Sequence, residues 1–187
     1  MNDPKIISDK VIIRSPWIRI IERHVDFGGA SAEQIYHCVD QSDYVTIIPV
    51  DKSGHTVLVR QFRPAVAAYT WEFPAGTLEK DESPTASAGR ELIEEIGLSP
   101  CIVHHLGSFA ADTGRHSNRI HNFLAEIDSP QPTLKPEANM QARWISFAEV
   151  FAMIRDGSFP SQLQIATLTL AYMHPKTRNL ISWGDSA

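Results

Sequence analysis

Residues 76–98 read GTLEKDESPTASAGRELIEEIGL, and how Ser83 to Gly97 within that stretch is read decides the fold. Ser83 can cap a helix N-terminus, Pro84 suits the first helical position, and Gly97 can close the C-terminus in a left-handed conformation. Projected at 100° per residue with Glu91 at the origin, Glu94 falls at about 300° and Glu95 at about 40°. Ala86, Gly89, Leu92, Ile93 and Ile96 occupy roughly 100° to 220° on the same projection. The helix is therefore expected to bury one apolar face and to gather three carboxylates on the opposite side. Arg90 stands beside Glu94 as its i, i+4 neighbour.

Helix stability alone does not call for such a face. Like charges at i, i+3 and i, i+4 repel by about 0.2–0.5 kcal/mol per pair, so alternating signs would serve stability better. Three hard oxygen donors on one face suit Mg²⁺ or Mn²⁺, which prefer carboxylates and water. A solvated acidic face is the competing reading of the same run.

The charge balance of the whole chain sharpens the choice. The 187 residues carry 17 Lys+Arg and 22 Asp+Glu, a formal net charge of −5. Between Glu72 and Gly97 lie seven acids and two bases, so the entire surplus sits in one short stretch. A mildly acidic protein without a basic face is not expected to bind nucleic acid. No apolar run approaches the roughly 18 residues needed to span a bilayer, and the N-terminus lacks the pattern of a secretory signal. Two cysteines, Cys38 and Cys101, form no CxxC pair, and a reduced, cytoplasmic setting is expected.

Outward from the helix, the chain reads as strands with a few helices. Ile- and Val-rich segments at Lys10–Arg14, Trp17–Val25 and Gln34–Val39 are strand candidates, with Phe27–Ser31 (FGGAS) supplying a turn. Tyr44–Val50 and His55–Phe62 flank the turn Asp51-Lys52-Ser53-Gly54 as a hairpin, and Thr70–Phe73 is a short strand stopped by Pro74. Cys101–Ala110, Ile120–Ile127 and Ala142–Ile145 read as strands. Ser146, with Glu149 three residues on, starts a helix ending at Gly157, and Pro160–His174 reads as a final amphipathic helix. This mixture predicts an α/β (α+β) sandwich. Trp17 reads either as a core residue or as a ring that stacks on a base. P-loop, dinucleotide-fold and serine-hydrolase motifs are missing from the sequence.

The spacing around the helix removes the ambiguity over its acids. Gly76, five residues, Glu82, seven residues, then Arg90-Glu91-Leu92-Ile93-Glu94-Glu95-Ile96-Gly97-Leu98 resembles the complete signature of the Nudix hydrolase family, G-x5-E-x7-R-E-U-x-E-E-x-G-U with U aliphatic. Seven fixed residues give a chance match on the order of 10⁻⁹ per window. Val59-Arg60-Gln61-Phe62-Arg63-Pro64 and Trp71-Glu72-Phe73-Pro74-Ala75-Gly76 are similar to the ADP-ribose and nucleoside-diphosphate-sugar pyrophosphatase branch. The resemblance implies a Nudix-type α/β/α sandwich with a mixed sheet at 43–187. Before it comes an N-terminal β section at 1–42, which could act as a dimerisation arm.

It also implies a chemistry, namely Mg²⁺-dependent attack of water on the diphosphate of ADP-ribose or a related nucleoside diphosphate sugar, with Mn²⁺ as a substitute ion. Matched residue by residue, Glu91 and Glu95 become the main metal ligands, with Glu94 and the carbonyl of Ala75 as further ones. Glu95, Glu94 and Glu137 are the candidates for catalytic carboxylates, Glu137 being the acid of the loop from Lys135 to Ala142. Arg63 is the candidate diphosphate clamp, with Arg60, Glu72 and Arg115 as further substrate contacts. Gly76, Glu82, Arg90 and Gly97 take structural parts in the motif. Two positions depart from the family pattern: Gln141 stands where a glutamate is frequent, and the loop from Asp112 to Arg119 carries two arginines. Other outcomes compatible with the family are hydrolysis of dinucleoside polyphosphates or nucleoside triphosphates, and a catalytically silent ADP-ribose sensor. The partners expected are a small nucleotide substrate and a second copy of the chain.

Overall fold

A computed structural model of the chain describes residues 3–28 and 33–181. The second half of the expected Phe27–Ser31 turn therefore lies outside the described residues. The chain divides into two compact units, one of residues 1–43 with 109–120 and the other of residues 44–108 with 121–187.

In the first unit, β1 (Lys5–Arg14), β2 (Ile18–Asp26) and β3 (Gln34–Gln41) form an antiparallel sheet in the order β1-β2-β3. Arg23 grips Asp9 with two bonds of 2.8 Å across the β1–β2 pair. The 109–120 segment is tied to β3 by Val39 N–H donating to the Arg115 carbonyl (2.8 Å) and Ser117 N–H donating to the Val39 carbonyl (3.0 Å). Every residue of β1 is exposed, including Ile6, Ile7, Val11, Ile12 and Ile13. Trp17, at the turn into β2, is 80 % exposed and is not a core residue.

The second unit is built on a seven-stranded mixed sheet. Its strands are β4 (Tyr44–Asp51), β5 (His55–Arg63), β6 (Ala68–Glu72), β7 (Ala75–Thr77), β8 (Ile102–Ala110), β9 (Arg119–Ile127) and β10 (Gln141–Ser146). The order is β10-β5-β4-β9-β8, with β6 on β5 and β7 on β4. The ends of β8 and β9 belong to the 109–120 segment. Asp51 folds the β4–β5 turn by accepting from the N–H groups of Ser53 (3.0 Å) and His55 (2.7 Å).

Period-2 alternation gives this sheet two buried faces. Val45 and Ile47 of β4, Val57 and Val59 of β5, and Phe123, Ala125 and Ile127 of β9 pack with Ala88, Leu92 and Ile96. Their neighbours Ile48, Val50, Leu58 and Leu124 pack on the other side with Phe147, Val150, Phe159, Leu168 and Ala171. The first set belongs to α1 (Pro84–Ile96). The second belongs to α2 (Phe147–Asp156) and α3 (Gln162–Met173), together with the connection between them. A helix–sheet–helix sandwich results.

The caps follow the local chemistry. Ser83 Oγ accepts from Ala86 N–H, and Gly97 (φ +72°) ends α1 with its N–H on the Ile93 carbonyl. Ser146 and Glu149 form a reciprocal capping box on α2. The last helix differs from its expected amphipathic form. Its buried stripe is Gln164, Thr167, Leu168 and Ala171, while Tyr172 and Met173 face outward. Polar side chains lie on the buried side because partners there satisfy them.

Candidate active site

The site forms where α1 passes under the turn from β6 to β7. Pro74 has no N–H and ends β6, and its carbonyl accepts from Ile47 N–H (2.9 Å). The next residue, Ala75, donates its N–H to Glu95 Oε2 at 3.1 Å. Gly76 then passes so close to α1 that a Cβ on it would sit 1.9 Å from Glu91 Cδ and about 2 Å from both carboxylate oxygens. The glycine leaves the space that the Glu91 carboxylate fills.

The helical projection therefore needs a correction. Glu94 is exposed, but Glu91 is only 8 % exposed and Glu95 only 4 %. Two of the three acids face the β6–β7 turn rather than solvent. The buried side of α1 is Ser87, Ala88, Glu91, Leu92, Glu95 and Ile96, while Ala86 and Ile93 of the expected apolar face are exposed. Burial pushes the Glu91 carboxyl above its usual range, against the pull of Arg90. Burial likewise pushes Glu95 up to about 8, opposed by the Ala75 N–H and Arg63 and reinforced by Glu91 and Glu137.

Arg90 organises the acids around it. Its Nε–H and Nη2–H donate to the two oxygens of Glu82, both at 2.9 Å. Its Nη1–H is shared between Glu91 (2.8 Å) and Glu94 (2.9 Å), and Nη2–H also reaches the Thr77 carbonyl and Ser87 Oγ. Glu82 is held well down, to about 2, chiefly by the guanidinium. Ser87 is fully buried and was not singled out from the sequence, although it lies one helical turn before Arg90.

The loop carrying Glu137 is tied to the end of the same helix. Lys135 N–H donates to the Ile96 carbonyl (2.9 Å) and Glu137 N–H to the Glu95 carbonyl (3.1 Å). Gly97 permits this approach, because a Cβ there would stand 2.8 Å from Lys135 Cβ. The structure thus brings Glu137 to the same end of α1 as Glu95, within electrostatic range of it.

Beside these acids lies a cavity of about 270 Å³, lined among others by Tyr44, Arg63, Glu72, Gly76, Leu163 and Gln164. Arg63 donates to the two oxygens of the buried Glu72 at 3.0 and 2.6 Å, and Thr70 Oγ also donates to Glu72. Arg63 therefore reaches the cavity with part of its donor capacity already committed to Glu72. Burial holds the Tyr44 phenol up at about 12, so it stays a neutral hydrogen-bonding group in the cavity wall. Arg60 is not among the residues lining this cavity. Strand alternation turns it against the Tyr69 ring, 4.7 Å from guanidinium carbon to ring centroid, with Gln141 Oε1 accepting at 3.4 Å. Arg115 belongs to the other compact unit.

Among the described residues, no three His, Cys, Asp or Glu side chains stand together as a ligand cluster. The donor set nevertheless suits a hydrated Mg²⁺, which keeps several waters and takes one or two carboxylates from the protein. Glu91 and Glu95 are hard oxygen donors whose burial raises both pKa values in spite of Arg90 beside Glu91 and Arg63 near Glu95, and a divalent ion would add positive charge there.

A sandwich of this kind, with a carboxylate-bearing helix closed by a glycine turn, defines an α+β protein with a site suited to a divalent cation. The NUDIX domain model matches residues 41–163, and the chain belongs to that family. It is 50 % identical over 91 residues to an ADP-sugar pyrophosphatase of Mus musculus, covering 46 % of this chain and 42 % of the mouse protein. It is 35 % identical over 99 residues to an ADP-ribose pyrophosphatase of Bacillus subtilis, covering 53 % and 52 %. These matches span about half the length of the relatives concerned. A crystal structure of an ADP compounds hydrolase superposes with a TM-score of 0.77 at 18 % identity, over 97 % of this chain and 98 % of that one, and shares the fold. Among the described residues, no helix is long and apolar enough to cross a membrane.

Proposed function

We propose that the chain is a Mg²⁺-dependent pyrophosphatase that cleaves the diphosphate of ADP-ribose or a related nucleoside diphosphate sugar to a nucleoside monophosphate and a sugar phosphate. The observation that carries this reading is the pair of buried carboxylates, Glu91 and Glu95, held against the Ala75–Gly76 turn beside a cavity that Arg63 enters. The ADP-sugar and ADP-ribose pyrophosphatases among the relatives support the substrate class.

In this reading Glu91 and Glu95 hold the cation, with Glu94 and the Ala75 carbonyl completing its protein contacts. When bound, Mg²⁺ or Mn²⁺ neutralises diphosphate charge and makes a coordinated water more acidic. Arg90 restrains the carboxylates, and Glu82 fixes Arg90 in turn. Arg63 binds diphosphate oxygens with the donor capacity that Glu72 leaves free, since guanidinium pairs well with phosphate. Hydrolysis forms a bond from the water oxygen to phosphorus and breaks the bridging P–O bond. The water's proton passes to Glu137, with Glu94 as the alternative acceptor.

The reading includes a homodimer in a reducing, cytoplasmic setting, with both cysteines free. An edge strand with five exposed Ile and Val side chains is what a second copy would cover. Release of AMP from ADP-ribose with Mg²⁺ is the test, with Glu95→Gln expected to lower turnover by at least 10²-fold. Full activity in that variant would overturn the metal assignment. Turnover of dinucleoside polyphosphates or nucleoside triphosphates in preference to ADP-ribose would overturn the substrate class. ADP-ribose binding without turnover under any divalent ion would make the chain a sensor.

A further inference from the structure

The site depends on a short track of backbone, Phe73 to Gly76, and the hydrogen bonds along that track come from three different elements. Pro74 O is held by β4 through Ile47 N–H at 2.9 Å, and Ala75 N–H is held by α1 through Glu95. The peptide groups of Phe73 are held by α3. Gln164 Oε1 accepts from Phe73 N–H at 2.7 Å, and Gln164 Nε2 donates to the Phe73 carbonyl at 3.0 Å.

A side-chain amide here does what a neighbouring strand would do, pairing with both the N–H and the C=O of one residue. Gln164 is 4 % exposed and lies on the buried stripe of α3, where a primary amide is costly unless both its ends are bonded. Both are. Phe73 is further wedged by the ring of Phe159, edge-on at 5.4 Å, just ahead of α3. The grip lies two residues before the amide that holds Glu95 and three before the glycine that makes room for Glu91. A shift of the track at Phe73 would therefore reach both carboxylates.

We propose that Gln164 is a positioning residue for the carboxylate pair, acting through Phe73 on the Ala75 N–H and the Gly76 gap; this rests on the reading of Glu91 and Glu95 as cation ligands. Thr167 supplies the control. It lies on the same buried stripe and is equally bonded, to Asn122 Oδ1 (2.7 Å), but it does not touch the 73–76 track.

The experiment compares the full-length wild type with Gln164→Ala, Gln164→Glu and Thr167→Val. The readouts are Mn²⁺ binding in the absence of substrate, amide hydrogen exchange of residues 73–77, thermal midpoint, and kcat and KM for ADP-ribose. Gln164→Ala should weaken Mn²⁺ binding about tenfold, speed exchange at residues 73–77 and lower kcat 10- to 100-fold with KM changed less than threefold. Gln164→Glu keeps the size and the acceptor for Phe73 N–H but loses the donor. It should show a smaller shift in the same direction, and it takes the place of the alanine variant if that one fails to fold. Thr167→Val should lower the thermal midpoint while leaving Mn²⁺ binding, exchange at 73–77 and kcat as in the wild type. Wild-type exchange and Mn²⁺ binding in the Gln164 variants, or equal losses in Thr167→Val, would overturn the proposal. A wild type that binds Mn²⁺ but does not hydrolyse ADP-ribose overturns the substrate reading alone. In that case the Mn²⁺ and exchange readouts still decide the part played by Gln164.

Discussion

Adding one methyl group at Gly76 should disable the site while leaving the fold in place. The Cβ of Gly76→Ala would fall 1.9 Å from Glu91 Cδ and 2.0 and 2.2 Å from its oxygens, where ordinary contact begins near 3.4 Å. The carboxyl group must retreat by roughly 1.5 Å, whereas Mg²⁺–oxygen bonds of about 2.0–2.1 Å tolerate errors of about 0.2 Å. The atoms that must move are the far end of a flexible side chain, and Gly76 is not in the left-handed region, so no backbone strain is added. The structural loss is at most the Glu91–Arg90 hydrogen bond of 2.8 Å, worth about 1.5–3 kcal/mol as a charged pair in a partly exposed setting. Displacing Glu91, one of the carboxylates proposed to hold the cation, should lower kcat/KM by about 10²–10³-fold, which is roughly 3–4 kcal/mol of transition-state stabilisation. The assays are Mn²⁺ titration, ADP-ribose turnover and a thermal melt in a chelator. Wild-type turnover and Mn²⁺ affinity in Gly76→Ala would refute the close-approach reasoning. So would a loss of activity that merely tracks unfolding.

Arg90→Lys keeps the charge but loses the planar fork that serves Glu82, Glu91 and Glu94 together, so kcat/KM should fall about 10- to 100-fold in the same turnover assay. In metal-free protein Glu95 titrates at about 8, above an unfolded value of about 4.5, so its protonated form favours the folded state. That contribution is complete below about pH 4.5 and lost as pH rises through about 8, with a ceiling on the order of 5 kcal/mol. Thermal melts in a chelator should therefore show the wild type losing stability relative to Glu95→Gln between pH 5 and 8, and saturating Mg²⁺ should remove the difference. Replacing Val11 and Ile13 on β1 by Lys should convert a dimer to monomer by light scattering after gel filtration, and an unchanged mass would exclude that edge as the interface.

Much of the second unit was legible because its signals are local. Ser83, Pro84 and Gly97 lie within one turn of the groups they cap, and Ser146 with Glu149 closes a capping box across three residues. The Val- and Ile-rich runs of β4 and β5 on either side of the Asp51–Gly54 turn pointed to strands, and only a sheet covered on both faces explains why both parities are apolar. Where reading from the sequence stopped short, the partner came from a distant part of the chain. Arg63 stands opposite Ala68 and Glu72 opposite Val59, yet both lie on one face of the β5–β6 pair and the guanidinium reaches along it to Glu72, while Arg60 on the other face meets Tyr69. Trp17 is exposed, since aromatic character alone does not tell a core ring from a surface one. A glutamine at the first position of the buried stripe of α3 was the one hint that the helix grips something polar.

By itself the sequence determined the family, the helix that carries the acids, the spacing of Gly76 from Glu91 and Glu95, and the confinement of the surplus charge to Glu72–Gly97. These are matters of residue type and interval along one chain. Which acids are withdrawn from water was decided only by tertiary structure. Glu91, Glu94 and Glu95 are chemically the same, and a helical projection sets all three on one side. The β6–β7 turn, gripped by Gln164 at Phe73, covers Glu91 and Glu95 and leaves Glu94 exposed. Burial depends on what another segment lays over a side chain, and spacing along a single helix carries no record of that.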